Sequence, residues 1–139
     1  MASRGLSERY GVRYTKAKMN SHETYEYASN PEYLSNWASG LAQADIVRDG
    51  DEWVAKAPFG EARIAFAEPN SFGVMDHDVK MESGVTVHNA MRVIPNGNGS
   101  EFLFSLFLRP GMSEEEFEND ARHIKRDLEK LKKILDNQG

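Results

Sequence analysis

Residues 10–19, YGVRYTKAKM, place Tyr10, Val12 and Tyr14 at alternate positions, a period of two that predicts a strand at a sheet edge. Alternation stops in the next stretch, NSHETYEYASNPEYLSNWASGL. Ser21 with Thr24 makes half of a capping box, which predicts a short helix over 22–28. Pro31 suits the first turn of a second short helix over 31–36, with Gly40 as its stop. Turn residues then punctuate the chain at Asp49-Gly50, Pro58-Phe59-Gly60, Pro69-Asn70-Ser71, Glu82-Ser83-Gly84 and Asn96-Gly97-Asn98-Gly99. They delimit six strands with short connections, the pattern of an antiparallel meander.

The end of the chain changes period. Ser113 and Glu116 form a capping box after Pro110-Gly111. Phe117, Ala121, Ile124, Leu128, Leu131 and Leu135 then recur at spacings of four and three, one narrow apolar stripe on a helix over 112–135. The stripe is too short for a sustained coiled-coil seam, and it follows a sheet that needs a cover. Such a helix is roughly 36 Å long at about 1.5 Å per residue, so a sheet that covers it must curl. The predicted fold is α+β: a curved antiparallel sheet of about seven strands wrapped around a long C-terminal helix, with two short helices after the first strand. The chain reads as one domain over 1–139, loose at 1–8.

The stretch VMDHDVKMESGVTVHN (74–89) holds two of the four histidines. Read as a hairpin with a three-residue Glu82-Ser83-Gly84 loop, it pairs Met81 with Val85, Val79 with Val87, His77 with Asn89 and Met75 with Met91 on one largely apolar face. The opposite face pairs Asp78 with His88 and Asp76 with Ala90. A one-residue shift would put His77 opposite His88 and scatter the apolar residues over both faces. The two histidines therefore point apart, and a metal site that needs both is disfavoured. His88 and Asp78 read as an exposed cross-strand pair, and Asp76 as a solvated carboxylate. His77 is either a buried histidine satisfied by Asn89 or the backbone, or a polar contact for ligand orientation or proton transfer.

Charge and composition narrow the partners. A net charge of −5 and a pI of about 5.4, with no cluster of Lys and Arg free of interleaved acids, argue against nucleic acid. The absence of cysteine removes disulfides, thiol catalysis, Cys-zinc sites and iron–sulfur clusters. No stretch has signal-peptide or membrane-spanning character, so the chain reads as cytoplasmic, without membrane insertion. There is no phosphate loop, no HExxH, and no motif that calls for a cofactor or metal.

Other side chains have two readings each. Trp37 is a core anchor or part of a pocket mouth. The methionines 75, 81, 91 and 112 fill the core or make an adaptable apolar surface. Phe102, Phe104 and Leu106 should face the helix. Leu103, Phe107 and Leu108 include residues on the outer face, and Leu103 and Phe107 are a candidate homodimer contact. His123 and Asp127 read as an i,i+4 pair on a solvated helix face.

The words NPEYLSNWASGL (30–41), FGVMDHDV (72–79), TVHNAMRVIPNGNGSEFLF (86–104) and RPGMSEEEFENDARHIKRDLEKLKKIL (109–135) resemble the SRPBCC, START-like or helix-grip superfamily, and are most similar to its bacterial polyketide cyclase/dehydrase-like members. The resemblance runs over roughly residues 10–135. It implies a cavity between sheet and C-terminal helix that takes apolar molecules, with catalysis in a minority of members and no shared catalytic motif. Three functions follow. The favoured one is binding of a small apolar or aromatic ligand by Trp37, Met75, His77, Asn89, Met91 and Phe104. The second is a cyclase or dehydratase with His77 as general acid/base and Asn89 as its partner. The third is a dimeric interaction module without ligand, joined through Leu103 and Phe107.

Overall fold

The computed structural model describes residues 10–41, 44–57 and 60–138. The N-terminal segment expected to be loose, the side chains of Tyr10, Val12 and Tyr14, and Pro58 and Phe59 of one expected turn lie outside the described residues. Strand β1 (Tyr10–Ala17) is followed by helix α1 (Ser21–Ala28), a 3-10 turn at Pro31–Tyr33 and the short helix α2 (Leu34–Trp37). Strands β2 (Asp45–Asp49), β3 (Glu52–Ala57), β4 (Gly60–Phe66), β5 (His77–Met81), β6 (Thr86–Asn96) and β7 (Gly99–Phe107) come next, and α3 (Glu114–Gln138) ends the chain. The sheet order is β1-β7-β6-β5-β4-β3-β2, every neighbour antiparallel. This is the α+β helix-grip architecture: one curved seven-stranded sheet around one long helix.

The hairpin register follows the apolar pattern. His77 pairs with Asn89, Asp78 with His88 and Val79 with Val87. The other register would turn Val79 and Val87 out to water. The capping box of α3 forms as Ser113 and Glu116 require, with Glu116 N donating to Ser113 Oγ at 3.0 Å and Ser113 N to Glu116 Oε1 at 3.3 Å. The helix itself starts at Glu114 and runs on to Gln138, later at both ends than its stripe predicts.

Two local expectations are corrected. The cap of α1 is Asn20, whose side chain accepts from Glu23 N; Ser21 is already helical. An Asn oxygen reaches the N3 amide as well as a Ser oxygen does. His123 does not pair with Asp127: its Nδ1 donates to the Asn119 carbonyl, and Asp127 accepts from Ser39 N at 3.2 Å. Of the group Leu103, Phe107 and Leu108, Leu108 packs with Leu106, Phe117 and Ala121.

The connection 67–76 is more than a turn. The Asn70 amide donates to the carbonyls of Glu68 and Val74, each at 2.9 Å, and its Oδ1 accepts from Phe72 N and Val74 N. Its backbone N–H reaches the Tyr25 hydroxyl at 3.0 Å, so α1 holds the connection too. Gly73 takes the left-handed φ of 73°, and a Cβ there would strike the Val93 carbonyl. Only at His77 does regular pairing with β4 begin.

Candidate functional site

The concave face of the sheet and the middle of α3 enclose a cavity of about 350 Å³. Its sheet wall carries Ile64, Val79, Val87, Met91 and Phe104. Inward alternation on β4 to β7 puts these side chains on one face. Leu34, Trp37 and Leu41 close one end, and Ile124 and Leu128 of α3 form the lid. The polar lining is sparse: His77 and Asn89 on the sheet, Arg109 after β7, and Asp120 and Asp127 on α3. Apolar walls with a few placed polar groups are the usual make-up of a small-molecule pocket.

His77 is the buried polar centre. Its ring stacks on Phe66, centroids 4.6 Å apart at 26°. Nδ1 lies 3.1 Å from the Met75 carbonyl oxygen, and Nε2 lies 3.2 Å from Asn89 Nδ2. A carbonyl can only accept, so Nδ1 carries the proton and Nε2 accepts from the Asn89 amide. Burial pushes the His77 pKa below its ordinary 6.5, against the opposing pull of the Met75 hydrogen bond. The ring is neutral at pH 7 with both nitrogens engaged.

Asp76, expected to be solvated, is held instead. Arg92 reaches it through Nε at 3.0 Å and Nη2 at 2.6 Å, and Met91 N donates to it at 3.0 Å. The Arg92 guanidinium holds the Asp76 carboxyl below its ordinary 3.8. On the same outer face His88 Nδ1 meets Asp78 Oδ1 at 2.6 Å. At the solvent side of the cavity Arg109 and Asp120 face each other at 3.6 Å. Among the described residues no three His, Cys, Asp or Glu groups come together to hold a metal.

Of the six expected ligand contacts, Trp37, His77, Asn89, Met91 and Phe104 line the cavity, and Met75 does not. Met75 is 1% exposed, sealed in the core where its N–H bonds the Met91 carbonyl at 2.9 Å. The interior is filled at that level, although parity puts Met75 on the same face as His77. Trp37 is packed in the core and also lines the cavity. It is 4% exposed with its ring edge-on to Phe102, and it closes the cavity end. Its Nε1 is buried with no partner among the described residues, at a cost of ~1–3 kcal/mol. Arg109, Asp120 and Asp127 also line the cavity, outside the set that strand alternation marks. Asp120 and Asp127 flank Ile124 at three- and four-residue spacings that share its helix face, which is the signal that could have found them. Phe107 lies on the outer face, 41% exposed, and Leu103, four residues before it on the same strand, is half-buried.

In sequence the chain matches no protein-family model and no curated protein. Its fold is shared. The protein MLL2253 from Mesorhizobium loti superposes with a TM-score of 0.72 at 13% identity, over 94% of this chain and 99% of that one. DynU16, a protein of the dynemicin biosynthetic locus, gives 0.69 at 10% identity, over 91% of this chain and 46% of that one. The Aha1 dimer from Colwellia psychrerythraea gives 0.69 at 11% identity, over 92% and 96%. At these identities the likeness is one of fold. No helix among the described residues is long and apolar enough to cross a membrane.

Proposed function

We propose that this protein binds a small apolar or aromatic molecule between the curved sheet and α3, as a helix-grip protein of the polyketide cyclase/dehydrase-like kind. The observation that carries this reading is the cavity of about 350 Å³ with apolar walls around one His77–Asn89 polar pair. A protein from a biosynthetic locus shares the fold, which suits a ligand-binding reading. A module without ligand would have a filled interior, so the hollow counts against it. Catalysis by His77 would require it to release Met75 or Asn89 before moving a proton, which favours an orienting role over general acid/base chemistry.

Native mass spectrometry of protein purified gently from its host tests the reading against the same sample denatured. The expected result is a discrete extra mass that denaturation removes. An apo mass alone, with no small aromatic probe binding in solution, would overturn it. The same spectra report oligomeric state. If the outer face joins two copies, Phe107→Asp converts the dimer to monomer without changing ligand mass.

A further inference from the structure

The two hydrogen bonds of His77 determine what Asn89 offers the cavity. The Met75 carbonyl takes the proton on Nδ1, so Nε2 is a bare acceptor that needs a donor. Asn89 must therefore turn its NH₂ toward His77, as the 3.2 Å contact from Nδ2 reflects. The amide cannot present both ends to one nitrogen. Its Oδ1 is left over, in a residue that lines the cavity, with no partner among the described residues. A carbonyl oxygen in an apolar pocket is a site that a donor satisfies and an acceptor repels.

The charges at the solvent side act in the same direction. Two carboxylates, Asp120 and Asp127, face the cavity with one guanidinium, Arg109, and Arg109 is engaged with Asp120. An anionic ligand would meet an acceptor at the sheet and a carboxylate excess at the opening.

We propose that Asn89 selects ligands carrying a hydroxyl or N–H donor on an apolar or aromatic body, a phenol or alcohol rather than the matching ether or carboxylate. This rests on the cavity-binding reading and deepens it. An ether at the same place leaves Asn89 Oδ1 desolvated and unpaired. A hydroxyl donates to that oxygen and excludes water at once.

Two measurements test the proposal. Nitrogen-15 NMR of the His77 ring reports the tautomer without any ligand. A proton on Nδ1 is expected. A proton on Nε2 would turn Asn89 Oδ1 toward His77 and overturn the selection while leaving the cavity reading intact. Calorimetric titration with 2-naphthol, 2-methoxynaphthalene and 2-naphthoate then reads selection directly. Wild type should favour 2-naphthol by about tenfold over the ether, and more over the carboxylate. Asn89→Leu should erase the preference while all three still bind. If that variant folds poorly because Nε2 loses its donor, the double variant His77→Phe with Asn89→Leu removes both polar partners together. Equal affinities in wild type, or a preference that survives loss of the amide, would overturn the inference alone. Failure of all three probes to bind, together with an apo mass in the native spectrum, would overturn the cavity reading and the inference with it.

Discussion

The middle and the last third of α3 carry the same apolar stripe and meet different interiors. In the last third, Leu131 and Leu135 are 0% exposed and share a filled core with Ala17, Met19 and Phe102. Polar ties hold this end down. Lys132 Nζ donates to the Lys16 carbonyl at 2.7 Å, and Asp136 Oδ1 accepts from Lys18 N at 2.9 Å. In the middle, Ile124 is half-buried and lies over the cavity with Asp120 and Asp127. Its tie to α2 and the following turn is the 3.2 Å bond from Ser39 N to Asp127. A helical stripe tells which side faces the sheet. It does not tell how far away the sheet is, because sheet curvature sets that distance.

The sharpest way to break this contrast is truncation. Leu131→Ala should lose ~2–5 kcal/mol, read from the urea midpoint, because its packed neighbours cannot collapse into the hole. Ile124→Ala should lose about 1 kcal/mol, since it already borders a hollow. Equal losses would mean the two regions are packed alike. Enlargement runs the other way: Leu131→Phe should cost ~1–3 kcal/mol by overpacking. Val79→Phe should leave the midpoint nearly unchanged and abolish 2-naphthol binding by filling the cavity.

Acid sharpens the contrast through His77. Its pKa in the fold lies below 6.5 because burial disfavours the cation, so the unfolded chain takes up the proton first. Its contribution is present above 6.5 and is lost as pH falls through the lower folded value. Urea midpoints from pH 8 to 5 should decline in wild type and decline less in His77→Phe. The smallest effect belongs to the anchored end. The Lys18 amide, then Lys132, holds the Asp136 carboxyl below 3.8, so its contribution is present above that value and lost in stronger acid. Asp136→Asn should lower the midpoint at pH 7, and the gap to wild type should narrow toward pH 3.

Much of this architecture is written locally. Glu82-Ser83-Gly84 sets the loop length, and Val79 with Val87 leaves one register that buries both. Phe117 to Leu135 spell the helix face. The site was legible where it follows parity on a strand, as with His77, Asn89, Met91 and Phe104. It was not legible where a side chain's partners are set by the path of a connection or by a neighbouring strand. Asn70 binds four backbone groups within its own connection, and Asp76 takes Arg92 across the sheet. Met75 shows the limit of parity: it shares a face with His77 but sits where the interior is filled. Whether space is left between sheet and helix depends on many side-chain volumes at once, and no short pattern records that sum.

The kink at Gly73 has a hereditary consequence. Gly73 does not line the cavity, yet it lies two residues before the Met75 carbonyl, which takes the proton of His77 Nδ1 and leaves Nε2 to the Asn89 amide. Under the proposed donor selection, the recognition rule is stored partly in main chain. On that proposal a lineage that keeps every cavity side chain still changes its guest if the Met75 carbonyl moves, and a tally of pocket residues would miss the change.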